Sequence, residues 1–503
     1  MTTTPHAGTD GVATNPFLPL NEYIPDGEPH VFGDRVYLFG SRDSETGTTY
    51  CELDYVFYSA PVGDLSTWTS NGVNYRASQD PGYERGRRYM YAPDVVQGND
   101  KRFYLYYCMS GDKGRGGYHG PISVAVADEP DGTYEYLGFV RNPDGSAYDE
   151  YVLFDPAVIN DNGVIRLYYG MCYPFEDQPA FTRVLTRRVQ AKMFNKTPAG
   201  IKAHGDSVQG AIAVRLDDDM LTVRSEPQRI IPTRTNGTSF EGHAFWEGSS
   251  IRKVDDTYYF VYSSFNSHEL CYATSRNPDR DFVYRGVIVS NGDIGLEGRT
   301  ARDRINQTGT NHGSIERIGN QWYVFYHRNT HGSIYRRQAC AEPIRIEADG
   351  TIHQVPVSSS GLNNAPLPAD QTYPAVTCSM LTNGRMRHGK ARSKRFPKVT
   401  HDAADRFVGD VTSGTTVGFK AFAFAGPTQV AVTTRGTGSG LINVSTETGV
   451  AGSLTVSPSS RWRQESTVIE LEGPNNLYFR FTGKGRLDIL TVSFSETGIP
   501  QVQ

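Results

Sequence analysis

The chain has no C-x-x-C pair. Its six cysteines, Cys51, Cys108, Cys172, Cys271, Cys340 and Cys378, are widely scattered. That spacing gives no support to a zinc ribbon or a thioredoxin-like redox site, and it points to reduced, packed thiols of a cytosol. No apolar run approaches the roughly 18 residues of a membrane span, so a membrane partner is not expected. Residues Met1–Thr14 contain no Lys or Arg and lack the basic and apolar regions of a signal peptide, so the expected location is cytoplasmic. There is no basic excess either: the net charge is −5, which argues against a dedicated nucleic-acid binder. Helix-period stretches with recognisable caps are scarce.

Aromatic residues, by contrast, are plentiful. They make up 12% of the 503 residues, beside 52 Gly and 28 Pro, a composition of many short strands and many turns. Five segments repeat one pattern of an apolar strand, a polar or Gly turn and an aromatic-rich strand. They are His30–Asp43 (HVFGDRVYLFGSRD), Asp94–Ser110 (DVVQGNDKRFYLYYCMS), Ala157–Tyr173 (AVINDNGVIRLYYGMCY), Ser249–Ser264 (SSIRKVDDTYYFVYSS) and Gly313–Arg328 (GSIERIGNQWYVFYHR). Each reads as a β-hairpin, and five such units suggest a five-bladed β-propeller, with a double-sheet sandwich as the plainer alternative.

A polar residue precedes each hairpin at a nearly constant offset from its second strand. Asp26 stands 11 before Tyr37, Asp94 10 before Tyr104, Asp155 12 before Leu167, Glu247 11 before Tyr258 and His312 10 before Trp322. Taken singly, an Asp before a strand reads as a turn residue, the more so beside Pro25, Pro93 or Pro156. Taken together, equivalent entries to five inner strands place four carboxylates and a histidine around one axial mouth. Crowded, buried carboxylates separate into an acid and a base, and glycoside hydrolysis is the chemistry that needs such a pair.

The blocks NPFLPLNEYIPDGEPHVFGDRVYLFGSRD, YAPDVV, FDPAVI, WEGSSIRK and TNHGSIERIGNQWYVFYHR, spanning about residues 15–355, resemble glycoside hydrolase family 43. The resemblance implies a five-bladed propeller and an inverting glycosidase. It makes Asp26 the general base, Glu247 the general acid and Asp155 the carboxylate that orients the acid and tunes its pKa. Glu241 is a rival acid with a poorer match. Tyr91 stands where relatives commonly have a Trp and is expected as a sugar-facing wall; Asp94 is expected to be structural or to accept from a sugar hydroxyl. Arg337 matches an arginine near the catalytic carboxylates, with the adjacent Arg336 leaving the register open. His312 matches an axial histidine that helps hold a hydrated calcium ion in many relatives; a hydrogen-bonded channel histidine is the alternative. His327 is read as blade packing. No organic cofactor is expected.

The expected organisation is a short N-terminal segment (1–14), a propeller (15–360), a linker (361–395) rich in Ser, Pro, Asn and Gly, and a β-sandwich (396–503). Short alternating strands such as GFKAFAF and LYFRFTGKGRLDILTVSF resemble the family 6 carbohydrate-binding module, with Trp462 and Tyr478 as candidate sugar contacts. The basic run Arg385–Lys398, with seven Lys or Arg, is read as a solvated loop rather than an anionic-polymer site. The leading functional expectation is an exo-acting α-L-arabinofuranosidase on imported plant oligosaccharides. β-Xylosidase, exo-galactanase, a non-catalytic glycan-binding propeller and a protein-interaction propeller are the alternatives. Oligomeric state stays open.

Overall fold

The structure, a computed structural model, describes residues 11–111, 120–173, 182–205, 207–389 and 395–497. It is almost all β. Five antiparallel sheets follow one another along the chain. Blade 1 contains β1 (Glu28–Phe32), β2 (Arg35–Phe39) and β3 (Tyr58–Pro61). Blade 2 contains β4 (Met90–Gln97), β5 (Phe103–Met109), β6 (Ile122–Ala127) and β7 (Glu135–Phe139). Blade 3 contains β8 (Ala157–Asp161), β9 (Val164–Met171), β10 (Gly210–Arg215) and β11 (Gln228–Arg229). Blade 4 contains β12 (Phe245–Val254), β13 (Thr257–Ser264), β14 (Glu269–Ser275) and β15 (Val283–Ser290). Blade 5 contains β16 (Ser314–Ile318), β17 (Gln321–Asn329) and β18 (Arg337–Ile344). The five hairpins read from the sequence are the first two strands of the five blades.

The aromatic second strands explain why the ring holds. Their alternating side chains enter two different cores, one on each side of the blade. Phe39, Phe103 and Tyr107 join blades 1 and 2, whereas Val324 and Tyr326 of blade 5 pack on Tyr259 and Tyr272 of blade 4. The ring closes where Val36 and Leu38 of blade 1 meet Tyr323 and Phe325 of blade 5 over Phe17 and Leu18. Asn15 completes that seam: its side chain donates to the Ala341 carbonyl (2.9 Å) and accepts from the Ala341 N–H (3.0 Å), as a strand neighbour would.

Two helices were not expected. They are α1 (Arg183–Met193) and α2 (Pro198–Ala203), both within the β9–β10 connection. Thr197 caps α2, accepting from Gly200 N–H at 3.0 Å, with Pro198 at the first helical position. Phe194 and Ile201 drop from these helices into the apolar cluster that carries Tyr91, Phe154 and Met171. Among the described residues no helix is long and apolar enough to cross a membrane.

The C-terminal domain is a ten-stranded sheet around a single core of Val, Leu, Ile and Phe side chains. Its long strands Thr416–Gly436 and Ser459–Lys484 pair along most of their length. The segment expected as a linker contributes Leu367–Pro368, Thr372–Pro374 and Met380–Thr382 to this sheet. Pro368 and Pro374 end two of these short strands, and Leu367, Tyr373 and Leu381 enter the core. The domain is docked on the propeller: Leu381 N–H donates to Ile305 O (3.0 Å) and Lys420 Nζ pairs with Asp293 (2.7 Å). Of the basic run, 390–394 lie outside the described residues. Flanking them, Thr308 N–H donates to the Arg387 carbonyl at 3.0 Å, and the Arg387 guanidinium lies 5.0 Å from the Phe396 ring. Those described parts are thus packed rather than free.

Candidate active site

Hairpin register determines which side chains meet at the axis. Six residues before the closing pair of each hairpin (Phe32, Gln97, Asp161, Val254, Ile318) stand Asp26, Tyr91, Asp155, Gly248 and His312. In blade 4 the ladder slips on both sides of Glu247. This irregularity brings Glu247, beside Gly248, to the axis, as bulges re-aim side chains. Asp26, Tyr91, Asp155, Glu247, His312 and Arg337 together line one cavity of about 560 Å³, a size suited to a small ligand. Six aromatic side chains form about half of its remaining wall: Tyr50, Tyr89, Phe154, Tyr173, Trp246 and Tyr335.

Asp94 is the exception among the expected residues. It sits three residues deeper, because blade 2 turns through residues 98–102 where the other hairpins turn through two. An offset counted from the second strand hides those extra residues. Asp94 is fully buried and does not line the cavity. It accepts from Val95 N–H, Val158 N–H and His30 Nε2, each at 2.7 Å. Its oxygens tie blades 1, 2 and 3 together, and it is not a sugar contact. Glu241, the rival acid, is exposed and bonded to Gly237 N–H (2.9 Å), away from the cavity lining.

The backbone at the site is unusual. Asp26 and Asp155 have left-handed φ values of 57° and 43°, a region uncommon for residues other than Gly and most tolerable for Asp and Asn. Gly248 follows Glu247 at φ 74°, and a Cβ there would stand 3.1 Å from the His312 ring. Glycine is therefore required for close approach of this strand to the axial imidazole. The Gly248 N–H donates to Asp155 Oδ2 (3.0 Å), linking Asp155 to the backbone beside Glu247.

Arg337 organises the Asp26 side of the cavity. Its Nη1 donates to Asp26 Oδ1 at 2.7 Å, and its other edge grips Asp43 through Nε (2.9 Å) and Nη2 (3.0 Å). The Tyr50 ring lies 4.7 Å from the guanidinium carbon. Arg337, not Arg336, is the arginine at the site. His327 does more than pack. Its Nδ1 accepts the Asp26 backbone N–H at 3.2 Å and its Nε2 donates to Thr310 O at 2.9 Å, so the neutral Nε2–H tautomer anchors Asp26. Asp43 was not singled out by the sequence; His327 was read there only as blade packing, and Cys51, read only as a packed thiol, accepts from Arg337 Nη2 at 3.3 Å. The signal lay in Asp43 closing the first repeat and in His327 standing opposite His312 in the fifth hairpin.

The carboxylates divide electrostatically. Burial alone would raise the Asp26 pKa. The Arg337 charge is the largest effect opposing it; only together with smaller contributions from His327, His312 and a hydrogen bond from Ser41 does it hold Asp26 below the usual carboxylate range. Glu247 is pushed up to about 7 by burial and then by the Asp26 charge, against the pull of Arg337. Asp155 is raised well above its ordinary value by burial, then by Glu247 and Asp26. The cavity thus keeps Asp26 ionised while Glu247 retains its proton to near neutrality and Asp155 is held above its ordinary range. A base beside a proton-holding acid is the arrangement two-carboxylate hydrolysis requires.

Comparison with known proteins agrees with this chemistry. The model of the glycosyl hydrolases family 43 matches residues 14–202 and 193–352. A xylosidase/arabinosidase of Thermoclostridium stercorarium is 40% identical over 491 residues, covering 94% of this chain and 96% of that one. An arabinoxylan arabinofuranohydrolase of Paenibacillus polymyxa is 25% identical over 527 residues, covering 94% of this chain and 73% of its own. Among solved structures, a β-xylosidase/α-arabinofuranosidase from a compost metagenome, in complex with xylotriose and in a calcium-free form, shares the fold at a TM-score of 0.51 and 24% identity. It covers 69% of this chain and 98% of that one. Matched across the whole propeller and alike from end to end to a named relative, this chain belongs to glycosyl hydrolases family 43 and is a glycosidase.

Proposed function

We propose that the protein is an exo-acting, inverting glycosidase that releases terminal α-L-arabinofuranose from plant-derived arabino-oligosaccharides. The observation that carries the mechanism is the split between Asp26, held ionised by Arg337, and Glu247, held protonated to about pH 7. Asp26 acts as general base on a water molecule. Glu247 donates its proton to the leaving oxygen as the glycosidic bond breaks. Asp155, bonded to Gly248 N–H, orients the acid and shares its titration. Tyr91, T-shaped on Phe154 at 5.9 Å, forms part of the sugar-facing wall. The aromatic lining suits the apolar faces of a pentose.

The relatives named for both xylosidase and arabinosidase activity support a β-D-xyloside as the second reading. Paired aryl glycosides, α-L-arabinofuranoside and β-D-xylopyranoside, decide between them. Faster release from the arabinoside supports the first reading, and faster release from the xyloside replaces the substrate while keeping the mechanism. Neither released, with a glycan panel also silent, would overturn both.

The residues present also fit a calcium ion at His312. Its Nδ1 lies 3.7 Å from Asp26 Oδ1 and 3.8 Å from Asp155 Oδ2, while its Nε2 is buried without a partner among the described residues. Burial lowers the imidazole pKa, so a neutral ring with its proton toward the carboxylates leaves Nε2 as an electron-pair donor. Calcium prefers oxygen ligands, so water would fill most of its shell, and when bound it would supply positive charge near Asp26 and Asp155. The C-terminal domain is proposed to be related to the family 6 carbohydrate-binding modules in fold rather than in sugar binding. Trp462 donates its Nε1–H to Asp405 (2.8 Å) beneath the Arg435 guanidinium (4.1 Å), and Tyr478 bonds Glu447 (3.0 Å).

A further inference from the structure

We infer that the C-terminal domain acts as a brace for the cavity wall, with Arg406 and Glu45 as the positioning pair. This rests on the glycosidase reading above and adds a role for residues that reading does not use.

The cavity wall over Asp26 is one loop of blade 1, which supplies Thr48, Thr49, Tyr50, Cys51 and Glu52 to the lining. Its base is fixed inside the propeller, where Cys51 N–H donates to Asp43 Oδ1 (2.9 Å). Its outer end is fixed from outside. Arg406 Nη2 donates to both oxygens of Glu45, at 3.0 and 3.1 Å, and Tyr23 OH donates to Glu45 Oε1 at 2.9 Å. His401 Nδ1 lies 3.4 Å from the same carboxylate. Arg406 and His401 sit on facing strands of one C-terminal hairpin, Lys398–His401 with Arg406–Val411.

That hairpin also holds the second wall loop. Val399 N–H donates to the Thr330 carbonyl (3.1 Å), and His331 next to it bonds Tyr23 OH through Nε2 (2.9 Å). The loop then runs to Tyr335, whose ring meets Tyr50 edge-on at 4.7 Å. Tyr50 in turn covers Arg337. One hairpin of the C-terminal domain therefore pins both loops whose tyrosines meet above the base.

The hairpin has its own support. Trp462 holds its turn through Asp405, packs on Phe407 at 5.6 Å and is covered by Arg435, which also pairs with Asp402 (2.8 Å). The tryptophan that looks like a sugar platform in sequence is a strut of this brace. The line of contact runs from Trp462 to the hairpin, from Arg406 to Glu45, and from Glu45 along the loop to Tyr50. None of these outer residues touches the cavity, so the effect is on substrate placement, where small displacements are costly.

The test measures Arg406→Gln, Glu45→Gln, the exchanged pair Glu45→Arg/Arg406→Glu, and Trp462→Phe in the full chain on the best oligosaccharide of the wild type. The brace is supported if Arg406→Gln and Glu45→Gln each raise KM about tenfold with the pH limbs of kcat/KM unmoved, and the exchanged pair recovers most of the loss. It is overturned if KM stays within about twofold in both single variants. It is also overturned if Trp462→Phe abolishes retention on insoluble arabinoxylan with KM for short substrates unchanged, which would make the domain an independent sugar binder. Thermal unfolding of each variant separates a loosened wall from a lost fold: a KM change that tracks unfolding alone counts against the brace. A wild type inactive on every glycoside would sink the glycosidase reading instead, so the two failures are distinct.

Discussion

Arg337 and Asp26 meet at 2.7 Å inside the cavity, and the same guanidinium is clamped on its far edge by Asp43. The pair is buried: the side chains are 5% and 7% exposed. A fixed, buried cation against a carboxylate is what lets Asp26 stay ionised where desolvation alone would protonate it.

Weakening that clamp should therefore be visible in pH as well as in rate. Asp43→Asn removes the second anion that shares the guanidinium and repels Asp26, while leaving the Arg337 charge. The acid limb of kcat/KM is expected to move down, by up to about one pH unit on the scale of like-charge effects. Arg337→Ala should be harsher, destabilising the fold by about 3–5 kcal/mol because two buried carboxylates lose their partner. Chemical denaturation measures the second effect, and an acid limb unmoved in Asp43→Asn would contradict the first.

The wild-type profile of kcat/KM should be bell-shaped. The proposed mechanism needs Asp26 ionised, which holds from below the ordinary carboxylate range upward, and Glu247 protonated, which is lost as pH rises through about 7. The basic limb is thus expected near neutrality and should vanish in Glu247→Gln, whose residual rate no longer titrates there.

Stability should carry the same signature with its own sign. Glu247 has a folded pKa raised above its unfolded value, so its contribution is present at low pH and lost as pH rises through about 7. Glu247→Gln, which cannot ionise, should be more stable than wild type at pH 8 by about 3 kcal/mol and nearly equal to it below the ordinary glutamate range, at about pH 4. Asp26 acts oppositely: its depressed pKa stabilises above the carboxylate range and is lost on acidification. Thermal melts of the two proteins across this window check the difference.

Chelation tests the axial site. If His312 holds calcium, removal of the ion should lower the melting temperature or the rate, calcium should restore it, and His312→Ala should be insensitive to both. A wild type unaffected by chelator would leave His312 as an axial imidazole beside Asp26 and Asp155 with no metal role.

The propeller was legible because each blade begins with the same local signal, a tight turn followed by alternating aromatics, and that alternation feeds two neighbouring cores. The axial positions were legible where the hairpin turn is short, as at Asp26, Asp155 and His312. Asp94 misled because blade 2 lengthens its turn, which sequence offsets do not register. Asp43 and His327 act through long-range contacts, 294 and 301 residues from their partners Arg337 and Asp26, and their places in the repeats do not reveal those partners. The helices α1 and α2 escaped notice because a Thr-Pro cap inside a long polar connection is a weak signal in a strand-rich chain. Trp462 was legible as an aromatic on a strand, but only the fold shows that Arg435 and Asp405 already occupy it.

The most direct test of the division of labour between Asp26 and Glu247 compares two leaving groups. Glu247→Ala and Asp26→Ala are assayed on the natural oligosaccharide and on a dinitrophenyl glycoside of the same sugar, whose leaving group needs no proton. Glu247→Ala is expected to lose roughly 10²–10⁴-fold on the oligosaccharide but far less on the dinitrophenyl substrate, and Asp26→Ala to lose that much or more on both. Equal losses on both substrates in Glu247→Ala, or near-wild-type rates in Asp26→Ala, would contradict the account.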